Sequence, residues 1–171
     1  MSVRLFTTSN KIKIVEVGPR DGLQNEKKAV PTPIKVSLIN LLTSSGLPVI
    51  ETTSFVKASV IPQMSDNAQV FQSIKKGNST SYPVLTPNLN GYKQAIACGA
   101  SEVAIFGSAS ESFSQRNINC SISESLDRFK KVCDLAKSDN VLVRGYISCV
   151  LGCPYEHNVD PEVFVINLGC S

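Results

Sequence analysis

The stretch Ile12-Lys13-Ile14-Val15-Glu16-Val17, followed at once by Gly18-Pro19-Arg20-Asp21-Gly22-Leu23-Gln24-Asn25, decides how the chain is read. Alternating, β-branched residues 12–17 predict a strand, and Gly18-Pro19 ends it. The pattern then recurs down the chain. Residues 33–45 place Ile34, Leu38, Leu41 and Leu42 at helical spacing, with Gly46 as the stop. Residues 48–52 predict a second strand, and 67–76 a helix ended by Gly77. Residues 82–86 predict a third strand, 92–98 a helix stopped by Gly99, and 102–106 a fourth strand ended by Gly107. The longest predicted helix spans about 123–137, with Leu126, Phe129, Val132, Cys133 and Leu135 as its apolar side. Residues 141–148 predict a fifth strand.

Strictly alternating strands and helices imply parallel strands joined by crossover helices. Two architectures fit, an open doubly wound sheet and a (β/α)₈ barrel. No Gly-x-Gly-x-x-Gly follows the first strand, which removes the main support for a dinucleotide-binding sheet. A barrel typically needs ~250 residues, so these 171 reach about five of its eight units. The expected fold is therefore α/β, a partial (β/α)₈ barrel over residues 11–161. A C-terminal tail, 162–171, departs from the alternation, although 163–168 are apolar enough for a strand.

Composition excludes several classes. Apolar residues are 42% and charged ones 18%, which is not a disordered chain. The net charge of +3 is too small and too scattered for a nucleic-acid footprint. No apolar run approaches the ~20 residues of a membrane helix, so a soluble protein is expected. Six cysteines without a secretory signal ahead of them read as reduced thiols in an intracellular compartment, mostly packing as small hydrophobes. Residues 1–10 carry Arg4, hydroxyl side chains and no acid, a composition compatible with the remnant of a mitochondrial transit peptide and equally with an ordinary N-terminus.

Ligands in parallel α/β folds bind at the carboxyl ends of the strands, so the residues just beyond each strand carry the information. Arg20 and Asp21 stand side by side after the first strand. A carboxylate there can ligate a hard divalent cation such as Mg²⁺, and the neighbouring guanidinium can hold an oxygen on which negative charge develops. The alternative is an Arg-Asp salt bridge closing a turn. Glu51, at the end of the second strand, points to the same mouth, either as a functional acid or as a buried partner for Arg20 or a lysine. Cys149-x-x-x-Cys153-x-x-x-His157 offers three metal-capable side chains, but a structural zinc needs a fourth and none is evident.

The motifs Lys13 to Glu26, Val49-Ile-Glu-Thr-Thr-Ser-Phe-Val56, Tyr82 to Asn88, Asn117-Ile-Asn-Cys-Ser121, Arg144-Gly-Tyr146 and Cys149 to Glu156 resemble those of the 3-hydroxy-3-methylglutaryl-CoA lyases. The likeness runs in order over about residues 11–161. It implies a metal-dependent barrel of the group that also holds isopropylmalate and homocitrate synthases; Asn117 to Ser121 and the Cys-Pro-Tyr segment are lyase-like rather than synthase-like. It further implies cleavage of 3-hydroxy-3-methylglutaryl-CoA, an acyl-CoA substrate, to acetoacetate and acetyl-CoA, in leucine breakdown and ketone-body formation. The matching positions make Asp21 a ligand of Mg²⁺ or Mn²⁺, Arg20 the substrate-binding and catalytic arginine that steadies the enolate, and Glu51 a catalytic glutamate of the mouth. The family's His-x-His pair, catalytic cysteine loop and metal-ligating asparagine find no counterpart in these residues. The expectation is thus a chain inactive alone, forming a homo-oligomer or associating with a full-length lyase, or a non-catalytic product that binds a full-length subunit or does not fold. A mitochondrial matrix location is implied, with cytosol or peroxisome as alternatives.

Overall fold

A computed structural model describes residues 12–160. The expectations for residues 1–10 and for the tail 162–171 lie outside those residues. The strands are β1 (Val15–Glu16), β2 (Val49–Ile50), β3 (Thr53–Ser54), β4 (Val84–Leu85), β5 (Glu102–Ser108) and β6 (Leu142–Ser148). The helices are α1 (Thr32–Ser44), α2 (Asn67–Ser73), α3 (Leu89–Ala97), α4 (Glu111–Ile118) and α5 (Ile122–Ser138).

Every strand pairing is parallel, in the orders β1-β2 and β3-β4-β5-β6. Only Glu51 and Thr52 separate β2 from β3, so the two are one pass of the chain: β2 pairs back to β1 and β3 forward to β4. Each pass therefore lies beside the one before it. A doubly wound sheet reverses its strand order at a switch point, and none occurs among the described residues. Sequential parallel neighbours are the arrangement of a barrel wall, and the fold is a partial (β/α)₈ barrel of five strand passes.

Alternation along each strand sorts the side chains. Ile50, Val84 and Val103 face outward and bury with Ile39, Phe71, Tyr92, Ala95, Val132 and Ala136 from the helical layer. The intervening residues, Glu51 among them, face the barrel interior. At one point backbone meets backbone. A Cβ on Gly91 in α3 would stand 2.6 Å from the Phe55 carbonyl oxygen, so only glycine lets α3 lie against the β3 pass.

Several expectations needed adjustment: the strand expected over 48–52 is split into β2 and β3, the third strand narrows to Val84–Leu85, and α2 ends at Ser73 rather than at 76. The first strand is shorter than 12–17: only Val15 and Glu16 pair with β2, and Ile12 and Ile14 stand exposed. Helix α4 was not foreseen: its apolar residues are sparse, and it is started by Ser110, whose Oγ accepts from Phe113 N at 3.1 Å, with Glu111 in the first turn. By contrast α5 carries a full capping box between Ser121 and Glu124. No helix among the described residues is long and apolar enough to cross a membrane.

Candidate active site

Beyond β1 the chain turns tightly through Gly18–Gly22, where Pro19 fixes the entry and Asp21 N–H bonds back to Val17 O at 2.7 Å. That turn carries Arg20 inward, where it is 6% exposed. Its Nε donates to Oε1 of Glu51, which is fully buried between β2 and β3. Its Nη1 donates to Asp21 Oδ1 at 2.8 Å. From the far side of the wall, Tyr146 on β6 donates its hydroxyl to Glu51 Oε2 at 2.6 Å. Both oxygens of the buried carboxylate are thus held, one by a cation and one by a phenol. A buried charge survives only when paired and hydrogen-bonded in this way.

Burial and the hydrogen bond to the Glu51 carboxylate push the Tyr146 hydroxyl well above the ordinary tyrosine value, so it stays a donor at any physiological pH. Arg20 spends two of its N–H groups on Glu51 and Asp21. A guanidinium has five, so three are not used by these two bonds. Asp21 differs from its neighbours, with a side chain 53% exposed and only Oδ1 engaged. Two structural readings of the sequence hold: Arg20 pairs with Asp21 in the turn, and Glu51 is its buried partner across 31 residues.

Deeper in the interior, Arg144 Nη2 lies 3.4 Å from Glu102 Oε1, and Glu102 also accepts from Ser81. Around the mouth, buried Lys35 of α1 donates to the Gln63 carbonyl and, at 2.6 Å, to Asp66 Oδ1. Gln63 in turn donates to Glu26 O at 2.9 Å, tying the loop that follows Arg20 and Asp21 to the loop that follows β3.

The sequence pattern placed Arg20, Asp21 and Glu51 together, and they are together. It missed Tyr146 as a site residue. The signal was available: in β6 Tyr146 falls on the same strand face as Arg144, the face that meets Glu102 and Glu51. Cys149, Cys153 and His157 do not make a metal centre. Cys153 and His157 pair through their backbones, at 2.9 Å in each direction, and His157 is exposed. Among the described residues no group of three or more His, Cys, Asp or Glu could hold a metal ion.

The HMGL-like family profile matches residues 11–169. This chain belongs to the HMGL-like family. It is 61% identical over 149 residues to a mitochondrial hydroxymethylglutaryl-CoA lyase of Gallus gallus, a match covering 87% of this chain and 50% of the relative. It is 60% identical over 151 residues to a cytoplasmic 3-hydroxy-3-methylglutaryl-CoA lyase of Danio rerio, covering 88% and 45%. A crystal structure of hydroxymethylglutaryl-CoA lyase from Pseudomonas aeruginosa superposes with a TM-score of 0.88 at 50% identity, covering 93% of this chain and 54% of that one. The chain therefore spans about half the length of the curated relatives it matches.

Proposed function

We propose that this HMGL-like chain contributes the N-terminal half of a carbon–carbon lyase site that cleaves 3-hydroxy-3-methylglutaryl-CoA to acetoacetate and acetyl-CoA, serving leucine breakdown and ketone-body formation in the mitochondrial matrix. The observation that carries the reading is the hydrogen-bonded series Tyr146–Glu51–Arg20 at the strand ends, with exposed Asp21 beside it. In a retro-aldol cleavage the tertiary alcohol loses its proton, the carbon–carbon bond breaks, and the electron pair moves onto the thioester as an enolate. Arg20 is the group that stabilises the enolate oxygen. Glu51 aims the guanidinium, and Tyr146 aims Glu51. The enolate carbon is then protonated to give acetyl-CoA.

Asp21 is the carboxylate this chain would offer to Mg²⁺ or Mn²⁺. The residues present do not by themselves fit such an ion, because one exposed carboxylate falls far short of the oxygen shell it demands. The 171 residues alone are expected to be inactive. The exposed barrel edges favour association with another chain, either a full-length lyase subunit or the unmatched half that would complete the wall. Ile12 is 93% exposed ahead of β1, and Leu142 on β6 is 68% exposed.

The test is acetyl-CoA release from 3-hydroxy-3-methylglutaryl-CoA, with Mg²⁺ and with chelator. The chain alone is expected to show none. Mixed with the unmatched C-terminal half of the Gallus gallus lyase, it should show chelator-sensitive turnover that Arg20→Gln abolishes. Turnover by the chain alone would overturn the inactivity. An inactive mixture in which the two halves demonstrably associate would overturn the assignment of the site.

A further inference from the structure

The single helical turn Pro62–Met64, between β3 and α2, fastens three separate parts of the molecule through two consecutive residues. The Gln63 carbonyl accepts from Lys35 Nζ of α1. The Gln63 side chain donates through Nε2 to the Glu26 carbonyl at 2.9 Å, 37 residues earlier in the chain. Met64 is buried, and its sulfur accepts from Thr53 Oγ1 at 3.7 Å. Thr53 lies two residues beyond Glu51 in the same strand pass.

Lys35 anchors this turn. Its side chain is 4% exposed, and a buried ammonium is stable only where acceptors surround it. The second acceptor is Asp66 Oδ1 at 2.6 Å, and Asp66 Oδ2 takes a further bond from Thr32 Oγ1 at 2.6 Å. Gln63 and Asp66 are thereby tied to the start of α1.

The turn that carries Arg20 and Asp21 lacks such an anchor in the segment that follows it. Residues 23–31 run on from Gly22 to α1, and Asn25, Glu26, Lys27 and Lys28 are exposed. Asn25 N bonds to Gly22 O at 3.1 Å, Glu26 N to Leu23 O at 3.4 Å, and Asn25 Nδ2 to Asp21 O at 2.8 Å. All three stay within the neighbourhood of the turn. Of the hydrogen bonds made by the described residues 24–30, the one from Gln63 reaches a distant part of the fold. Hydrogen bonds thus lead from buried Lys35 to Gln63, from Gln63 to Glu26, and from the adjoining Asn25 to Asp21.

We propose that Gln63, anchored by Lys35, is a positioning residue for the lyase reaction, holding the turn that presents Arg20 through the loop at Glu26. The inference rests on the role proposed above for Arg20. The charge that Arg20 steadies appears only as the carbon–carbon bond breaks. A displaced turn therefore loses more stabilisation of the transition state than of the bound substrate. Small displacements are enough, because a preorganised donor works only at its correct distance.

The first test needs no activity. The native 171-residue chain is treated with trypsin, and cleavage after Lys27 and Lys28 is timed against cleavage after the exposed Lys130, Lys131 and Lys137 of α5. Gln63→Met keeps the length of the side chain and removes the donor. It should speed cleavage after Lys27 and Lys28 about tenfold and leave the α5 sites unchanged. Equal rates in the two proteins, or a rise of the same size at α5, would overturn the proposal. The second test uses the complex with the unmatched C-terminal half of the Gallus gallus lyase. There Gln63→Met should lower kcat about tenfold and keep KM within about twofold of wild type. An unchanged kcat beside an active wild-type complex would remove the positioning role and leave the lyase reading standing. An inactive wild-type complex would remove both, while the tryptic rates still report whether Gln63 holds the loop.

Discussion

Val103 and Val143 are the same residue, paired directly across one parallel ladder, and they live in different environments. Val103 is 0% exposed, covered by β4 on one side and by Val132 and Ala136 of α5 above. Val143 is 37% exposed, and its neighbour Leu142 is 68% exposed. In a wall built by adding strand-helix units, each strand is buried by the unit that follows it. Among the described residues, β6 is left with apolar side chains that no following unit covers.

Arg20 draws the same contrast within the site. It has one fully buried partner, Glu51, and one exposed partner, Asp21. Removing the first leaves a guanidinium uncompensated inside the wall; removing the second leaves it in water's reach. Glu51→Ala should therefore cost about 3–5 kcal/mol in urea unfolding, and Asp21→Ala no more than about 0.5 kcal/mol. Equal losses would mean that Arg20 is solvated from the Glu51 side as well.

The matched valines give the next largest difference. Val103→Ala should destabilise by about 2 kcal/mol, and Val143→Ala by less than about 0.5 kcal/mol. In a complex with a chain that completes the barrel, the Val143→Ala cost should rise toward that of Val103→Ala. A Val143 variant as costly as Val103 in the isolated chain would show that the edge is already covered.

Tyr146 stands on that edge strand, yet it reaches a buried carboxylate. Tyr146→Phe removes one of the two donors to Glu51 and should cost about 1–2 kcal/mol by the same measurement. In the complemented lyase it should lower kcat and leave KM nearly unchanged, since the phenol touches Glu51 and not the substrate. A change confined to KM would place the hydroxyl on the substrate instead.

Much of this was legible in the sequence because the signals were local. The five strand positions followed from short runs rich in apolar and β-branched residues, three of them with glycine or proline directly after, and α5 from its apolar stripe. Arg20, Asp21 and Glu51 were found because strand ends are where such folds keep their chemistry. What was not legible depended on partners far away in the chain. Tyr146 is 95 residues from Glu51. Helix α4 has only Phe113 and Ile118 as large apolar residues, and owes its start to the Ser110 cap rather than to a stripe. The break between β2 and β3 arises because one pass of chain pairs left with β1 and then right with β4, which no alternation along 48–52 encodes.

The smallest expected effect tests the closed side of the comparison through its pH dependence. Tyr92 of α3 is buried, and its hydroxyl donates to Asp139 Oδ2 at 2.8 Å, tying α3 to the end of α5. Burial, and then the Asp139 carboxylate, raise its pKa from 10.0 to about 12. The folded chain thus keeps this proton over a range where the unfolded chain has lost it. Below pH 10 the contribution is fully present; between pH 10 and about 12 the unfolded state binds fewer protons and stability falls as pH rises. Tyr146 pulls in the same direction, so wild-type stability alone does not isolate Tyr92. Tyr92→Phe does: its urea midpoint should start lower at neutral pH and then decline less steeply above pH 10 than the wild type's. An identical alkaline slope in the two proteins would mean that the Tyr92–Asp139 bond does not persist in solution, and that α3 is held to the wall by its apolar face and the close approach at Gly91 alone.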